Sequence, residues 1–251
     1  MRSLVVALIA LVPLPAAGQI PDPAPETVAL RFGWAPGDSA VVRTHTSLDR
    51  GVQAESGQGR YQLAVRTVED GLAVTKIALD GQPLAEWLVA PSGEFMAPVF
   101  DTPDMIALRQ EWEVLVGTWA GADVDLGDTY HLSSVEPMPL IDGATVPALS
   151  EIRVTRAACD AATADLACVR LQLIMRPDPV ALRLVIEDAV AHAGEPVWQS
   201  IGWELEAEVI TRPDTLRPLR ATIRRRLEAA PRDGSPRIES ERRDFTFDWD
   251  R

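Results

Sequence analysis

The residues from Asp101 to Gly121, DTPDMIALRQEWEVLVGTWAG, constrain the fold more than any other stretch, because they place a helix in a chain otherwise patterned for short strands. Thr102 can cap it, Pro103 suits the first helical position where a missing N–H costs nothing, and Asp104 complements the positive end of the dipole. Met105, Leu108, Trp112, Leu115 and Trp119 recur at spacings of three and four and so share one face, while Arg109, Glu111 and Glu113 are expected to point elsewhere. Such a stripe needs an apolar surface, which the flanking strands can supply. The pattern predicts a mainly β (α+β) chain: a curved antiparallel sheet or half-barrel packed on two amphipathic helices, at about 102–119 and 179–191.

The first eighteen residues have the layout of a cleaved secretory signal peptide: Arg2, an apolar run from Leu4 to Val12, and small residues at Ala16-Ala17-Gly18. A Pro-rich lead (19–26) follows, then one β-rich domain (27–251). No later stretch approaches the roughly 20 apolar residues a membrane helix needs. The expectation is an exported protein, periplasmic or extracellular, soluble once the leader is removed. A formal charge of −13 argues against nucleic acid and against anionic membrane surfaces as partners. Yet residues 212–251 carry 11 arginines against 8 acids. Pairing between neighbouring strands accounts for that local excess most simply.

Along the chain, residues 27–35 and 39–48 read as a hairpin about Pro36-Gly37-Asp38, and Arg50 to Gly59 as a polar loop. Residues 61–69 and 72–79 flank Asp70-Gly71, a dipeptide suited to a two-residue hairpin turn. Leu84–Ala90 and Glu94–Phe100 form another short pair. After the helix, a strand is expected within 124–135 and an irregular Pro-rich stretch over 136–148.

The only two cysteines, Cys159 and Cys168, suit a disulfide in an exported protein. Placing them opposite one another across a hairpin sets Val154, Val169, Leu171 and Leu173 on one apolar face. A second helix starts at Pro179, capped by Asp178, with Leu182, Val185, Ile186 and Ala189 on one face and Gly194 placed to stop it. Strands at 198–210, 216–228 and 237–249 complete the chain. In the first, Glu204, Glu206 and Glu208 alternate with apolar residues; in the second, Arg220, Arg224 and Arg226 do so, which predicts facing acids and arginines.

The order of signal, strand meander, helix, strands, helix and long closing meander resembles the half-barrel fold of periplasmic lipoprotein-carrier proteins. Two phrases, Leu30-Arg31-Phe32 through Pro36-Gly37-Asp38 and Pro213-Asp214-Thr215-Leu216-Arg217-Pro218, are similar to ones in uncharacterised families of exported bacterial β-proteins. The resemblance implies a curved sheet with an apolar concave side covered by helices.

Catalytic signatures are missing. His45, His131 and His192 form no metal-type pair; Asp123, Asp125 and Asp128 miss the calcium-loop spacing; no nucleophile elbow or phosphate loop is present, and nothing calls for a cofactor. His45 is expected at the surface and His131 in a structural hydrogen bond. The aromatic residues are more suggestive. Ordinary core packing is the first account of them, and the functional alternative is that Trp87, Met105, Leu108, Trp112, Leu115, Trp119 and Trp203 line a space between sheet and helix able to hold an acyl chain. The leading expectation is a non-enzymatic binding or carrier module for an apolar ligand, a lipid or a lipoprotein. The alternatives are an envelope protein-interaction or assembly module, using a sheet edge or the Arg-bearing strands, and a hydrolase without a recognisable motif.

Overall fold

The computed structural model describes residues 26–51, 53–96, 102–141, 143–160, 167–193, 198–232 and 234–250. The signal region, most of the Pro-rich lead, Phe100, Asp101 and Gly194 lie outside them. The chain is mainly β. Eleven strands form one antiparallel sheet and two more a separate ribbon, with two helices among the described residues.

The first long strands are β2 (Ser39–Asp49), β3 (Ala54–Val68), β4 (Gly71–Ala78), β5 (Pro83–Val89) and the short β6 (Phe95–Met96). Helix α1 (Pro103–Leu115) follows and runs into a 3-10 turn at Gly117–Trp119. Then come β8 (Thr129–Pro137), β9 (Thr145–Ala157), β10 (Cys168–Pro177), α2 (Pro179–Ala193), β11 (Trp198–Thr211), β12 (Pro218–Pro231) and β13 (Arg237–Trp249). The strand order is β6-β5-β4-β3-β2-β13-β12-β11-β10-β9-β8, so two meanders meet where β2 pairs with the last strand. The sheet is open, with β6 and β8 at its edges.

Several expectations change in detail. Residues 27–35 do not form a hairpin with the next strand: β1 (Thr27–Ala29) pairs with β7 (Asp123–Asp125) instead. Beyond it the chain bonds to loops, Leu30 N–H donating to the Ala122 carbonyl (2.8 Å), Arg31 N–H to Pro213 (2.8 Å) and Gly33 N–H to Thr215 (3.1 Å). Trp34 Nε1–H donates to the Leu216 carbonyl at 3.3 Å, and Arg217 pairs with Asp38. The two phrases at 30–38 and 213–218 thus pack on each other at one end of the sheet. Gly33 is required there, since a Cβ would stand 3.1 Å from the Asp214 carbonyl oxygen and the Thr215 Cα.

The Gly-rich stretch 55–59 is strand, held by register with β2 from Leu48↔Glu55 to Thr44↔Gly59. The β3–β4 turn consists of Glu69-Asp70, because Val68 pairs with Gly71. Gly71 is needed for a different reason from the one its sequence suggests: its φ is not positive, but a Cβ would lie 2.3 Å from the Val89 carbonyl oxygen. The expected irregular stretch 136–148 ends early, as β9 begins at Thr145.

The disulfide is present, with Cα atoms 5.0 Å apart. Its register differs from the expected one by two residues: Cys168 faces Ala157, Leu171 faces Val154, and Cys159 lies past the end of β9. A shift of two keeps strand parity, so Val154, Val169, Leu171 and Leu173 all still face the core, each 2% exposed or less.

One apolar cluster collects Leu63 and Trp87 from one flank of the sheet, Val154 and Leu171 from the other, and Trp112, Leu115 and Trp119 from the helical segment. Thr102 caps α1 by accepting the Met105 N–H at 3.3 Å. Asp178 caps α2 through the N–H groups of Val180 and Ala181, both at 2.9 Å. Leu182, Val185 and Ile186 of α2 pack on a smaller cluster of Met138, Val146 and Ile201. No described helix is long and apolar enough to cross a membrane.

Candidate functional site

Side-chain alternation gives the sheet two distinct faces. Toward the core, Trp87 on β5 and Trp112 on α1 meet edge to face with ring centres 5.9 Å apart, and Trp34 stands 5.1 Å from Trp112. Trp112 Nε1–H donates to the Gly93 carbonyl at 2.9 Å, which ties the helix to the β5–β6 connection. Among the residues expected to line a ligand space, Trp87, Leu108, Trp112 and Leu115 do surround one cavity, but its volume is about 20 Å³. That is room for about one water molecule, against the several hundred Å³ of ordinary ligand sites. Trp119 lies apart, fully buried and donating to the Val114 carbonyl at 2.8 Å. Met105 packs on the main cluster, and Trp203 bridges it to the smaller one.

Sequence periodicity missed the polar half of this cavity wall. Glu111, expected to point away from the apolar stripe, also lines it, together with Tyr61 and Lys76. Lys76 Nζ stands 4.1 Å from the centre of the Tyr61 ring. Burial raises the Tyr61 hydroxyl far above its ordinary value; Glu111 adds to the shift and Arg243 opposes it. Arg243 reaches Glu111 at 3.5 Å and Glu241 at 2.6 Å. Arg225 lies on the same side, because its register partners Leu205 and Glu241 alternate with outward residues. Its pKa is lowered, first by burial and then by Arg243. The heptad-like pattern of α1 could not reveal this set, since five of its members, Tyr61, Lys76, Arg225, Glu241 and Arg243, sit on strands far from the helix in sequence.

The opposite face carries a larger feature. A groove of about 590 Å³ runs across β11, β12, β13, β2 and β3. Pairing lines up Glu206, Arg224, Arg242, Ser47 and Ser56 in one row, and Glu204, Arg226, Ser240, Asp49 and Ala54 in the next. The expected ladder of acids against arginines is therefore real in register for Glu204 and Glu206. Contacts redistribute it, however: Arg224 reaches Glu206 at 3.5 Å, Arg176 takes Glu204, Arg226 turns to Glu228 at 2.5 Å, and Glu208 is 3.6 Å from Arg170.

The remaining candidates are exposed or held in local contacts, and the hydrogen bond expected of His131 is not among those of the described residues. His45 is exposed as expected; His131 is also exposed, on edge strand β8. Asp123 binds Arg31 and Asp125 accepts from the Thr27 hydroxyl, both at 2.5 Å. Among the described residues no three His, Cys, Asp or Glu side chains are grouped to hold a metal.

No family model matches the chain, and no curated protein matches it significantly. Among solved structures it is similar to the crystal structure of Rv2717c from M. tuberculosis, at 8% identity over 84% of this chain and 91% of that one. The TM-score of 0.23 is too low to support any statement about shared fold or function.

Proposed function

We propose that this protein is an exported, non-enzymatic interaction module that engages its partner through the groove on the outer face of the sheet. One observation carries the reading: the groove holds about 590 Å³ while the cavity under the helix holds about 20 Å³. The Cys159–Cys168 disulfide and the leader sequence support export. Edge strand β8 offers a second contact surface, with Val135 67% and Leu132 43% exposed.

A second reading keeps the helix-side space as a site for an apolar ligand or lipidated protein in a half-barrel. It is favoured by the Trp34, Trp87 and Trp112 rings around one cavity, and by Trp87 Nε1, which is buried without an acceptor. That reading requires α1 to swing away from the sheet before an acyl chain can enter.

The two are separated by soaking the mature protein with a fluorescent fatty acid and by cross-linking from Cys introduced at Ser240 in envelope extract. The groove reading expects no saturable fatty-acid uptake and a stoichiometric protein adduct from S240C. Saturable uptake with quenched tryptophan emission, and no adduct, would transfer the function to the second reading.

A further inference from the structure

We infer that the groove contains a subsite for a single oxyanion, a carboxylate or phosphate group, held between Arg224 and Arg242 with the hydroxyls of Ser47 and Ser240 beside it. Arg224 and Arg242 are direct cross-strand partners on an exposed face, each about half exposed, so two like charges stand opposite one another. Such an arrangement is unfavourable in a sheet and contributes nothing to the core, which lies on the other side. Each guanidinium also keeps unused donors. Arg242 gives Nε and Nη2 to Asp244 and retains Nη1; Arg224 touches Glu206 only through Nη1 at 3.5 Å and retains Nε and Nη2.

Next in the row stand Ser47 and then Ser56, with Ser240 one row away. None of the three hydroxyls has a hydrogen bond to another described residue. Five carboxylates and four arginines line the groove, and Glu204, Glu206 and Glu241 already hold arginines, so the unspent donors are concentrated on the Arg224–Arg242 pair and the serines beside it. A group that fits between the two arginines brings acceptors, which the donors left over from their pairs with Glu206 and Asp244 can meet in paired contacts.

The ends of the groove set the size of the ligand charge. Asp49 and Glu55 lie toward the β2–β3 end and Glu204 and Glu206 at the other, so one oxyanion fits between acids while a polyanion meets repulsion on both sides. This deepens the groove reading above and rests on it. Full solvent access weakens the contact and makes it salt-sensitive.

The test is titration of the full mature protein with inorganic phosphate and with acetate at low ionic strength, read on the arginine Nε–H resonances. Titration with glycerol 1-phosphate, a monomeric headgroup ester, tells whether the phosphate can come from a lipid headgroup. The expected result is saturable shifts at Arg224 and Arg242, weakened at least tenfold in R242Q and in S47D and unchanged in R60Q. R60Q is the control because Arg43 and Arg60 are also directly opposed but lie outside the groove. S47D keeps both arginines and blocks the site by charge. Saturation with glycerol 1-phosphate that is lost in R242Q would support the subsite with a lipid headgroup as source. Absence of saturation with every probe, or loss in R60Q equal to that in R242Q, would overturn the inference. In that case an adduct still formed from S240C would leave the groove reading standing.

Discussion

Arg243 on β13 lies 3.5 Å from Glu111 on α1, and this contact ties the helix to the centre of the sheet through charge as well as through packing. Glu111 is 16% exposed and Arg243 35%, so neither is well solvated; removing Glu111 leaves Arg243 with Glu241 alone, and removing Arg243 leaves both acids without it. Glu111→Ala should lower stability by about 1–3 kcal/mol in chemical denaturation.

The pH dependence of stability should carry a signature of Glu113. Burial raises its carboxyl above the ordinary carboxylate range, Arg109 opposes the shift, and Glu94 and Glu136 add to it. The folded state thus holds this proton more tightly than the unfolded chain. Its stabilising effect is complete below the ordinary value of 4.5 and is lost as pH rises through the raised one. Glu113→Gln should therefore match the wild type in acid and melt higher above that window, as measured by thermal denaturation across pH.

Two tryptophans on the same cavity should respond differently to the same change. Trp87 Nε1 has no acceptor, so Trp87→Phe removes an unsatisfied donor and should cost less than about 1 kcal/mol. Trp112→Phe orphans the Gly93 carbonyl and loosens contacts with Trp34 and Trp87, and should cost about 2–3 kcal/mol. Paired denaturant titrations check the order, and equal losses would contradict it.

Replacing both Cys159 and Cys168 by alanine should lower stability by about 2–3 kcal/mol, the value for a cross-link between residues nine apart in sequence. The β9–β10 pairing extends from Ala157 to Ala148 without the bridge, so far-UV circular dichroism should stay unchanged while the melting temperature falls.

Gly71→Ala should be more damaging than Gly57→Ala, although both stand in strands. A Cβ at Gly71 meets the Val89 backbone oxygen at 2.3 Å, whereas one at Gly57 meets nothing within 4 Å. Expression and thermal melts of the two variants test the difference directly.

Alternation and spacing alone determined much of this molecule. Thr102 and Asp178 announced both helix starts, the cysteines announced their bridge, and Val154, Val169, Leu171 and Leu173 showed which face is buried. These features depend on residues near one another in the chain, or on strand parity, which survives the two-residue error in register. Tertiary structure decided the rest. Pairing of β2 with β13 brings Ser47 beside Arg242, and pairing of β12 with β13 sets Arg242 against Arg224, from segments that no local pattern relates. The same long-range contacts turned Glu111 inward toward Arg243 and drew residues 30–33 away from the sheet to bond with Pro213 and Thr215. A charge placed by periodicity takes its final direction from the partner that the folded sheet presents, and a buried backbone group goes wherever an acceptor is found.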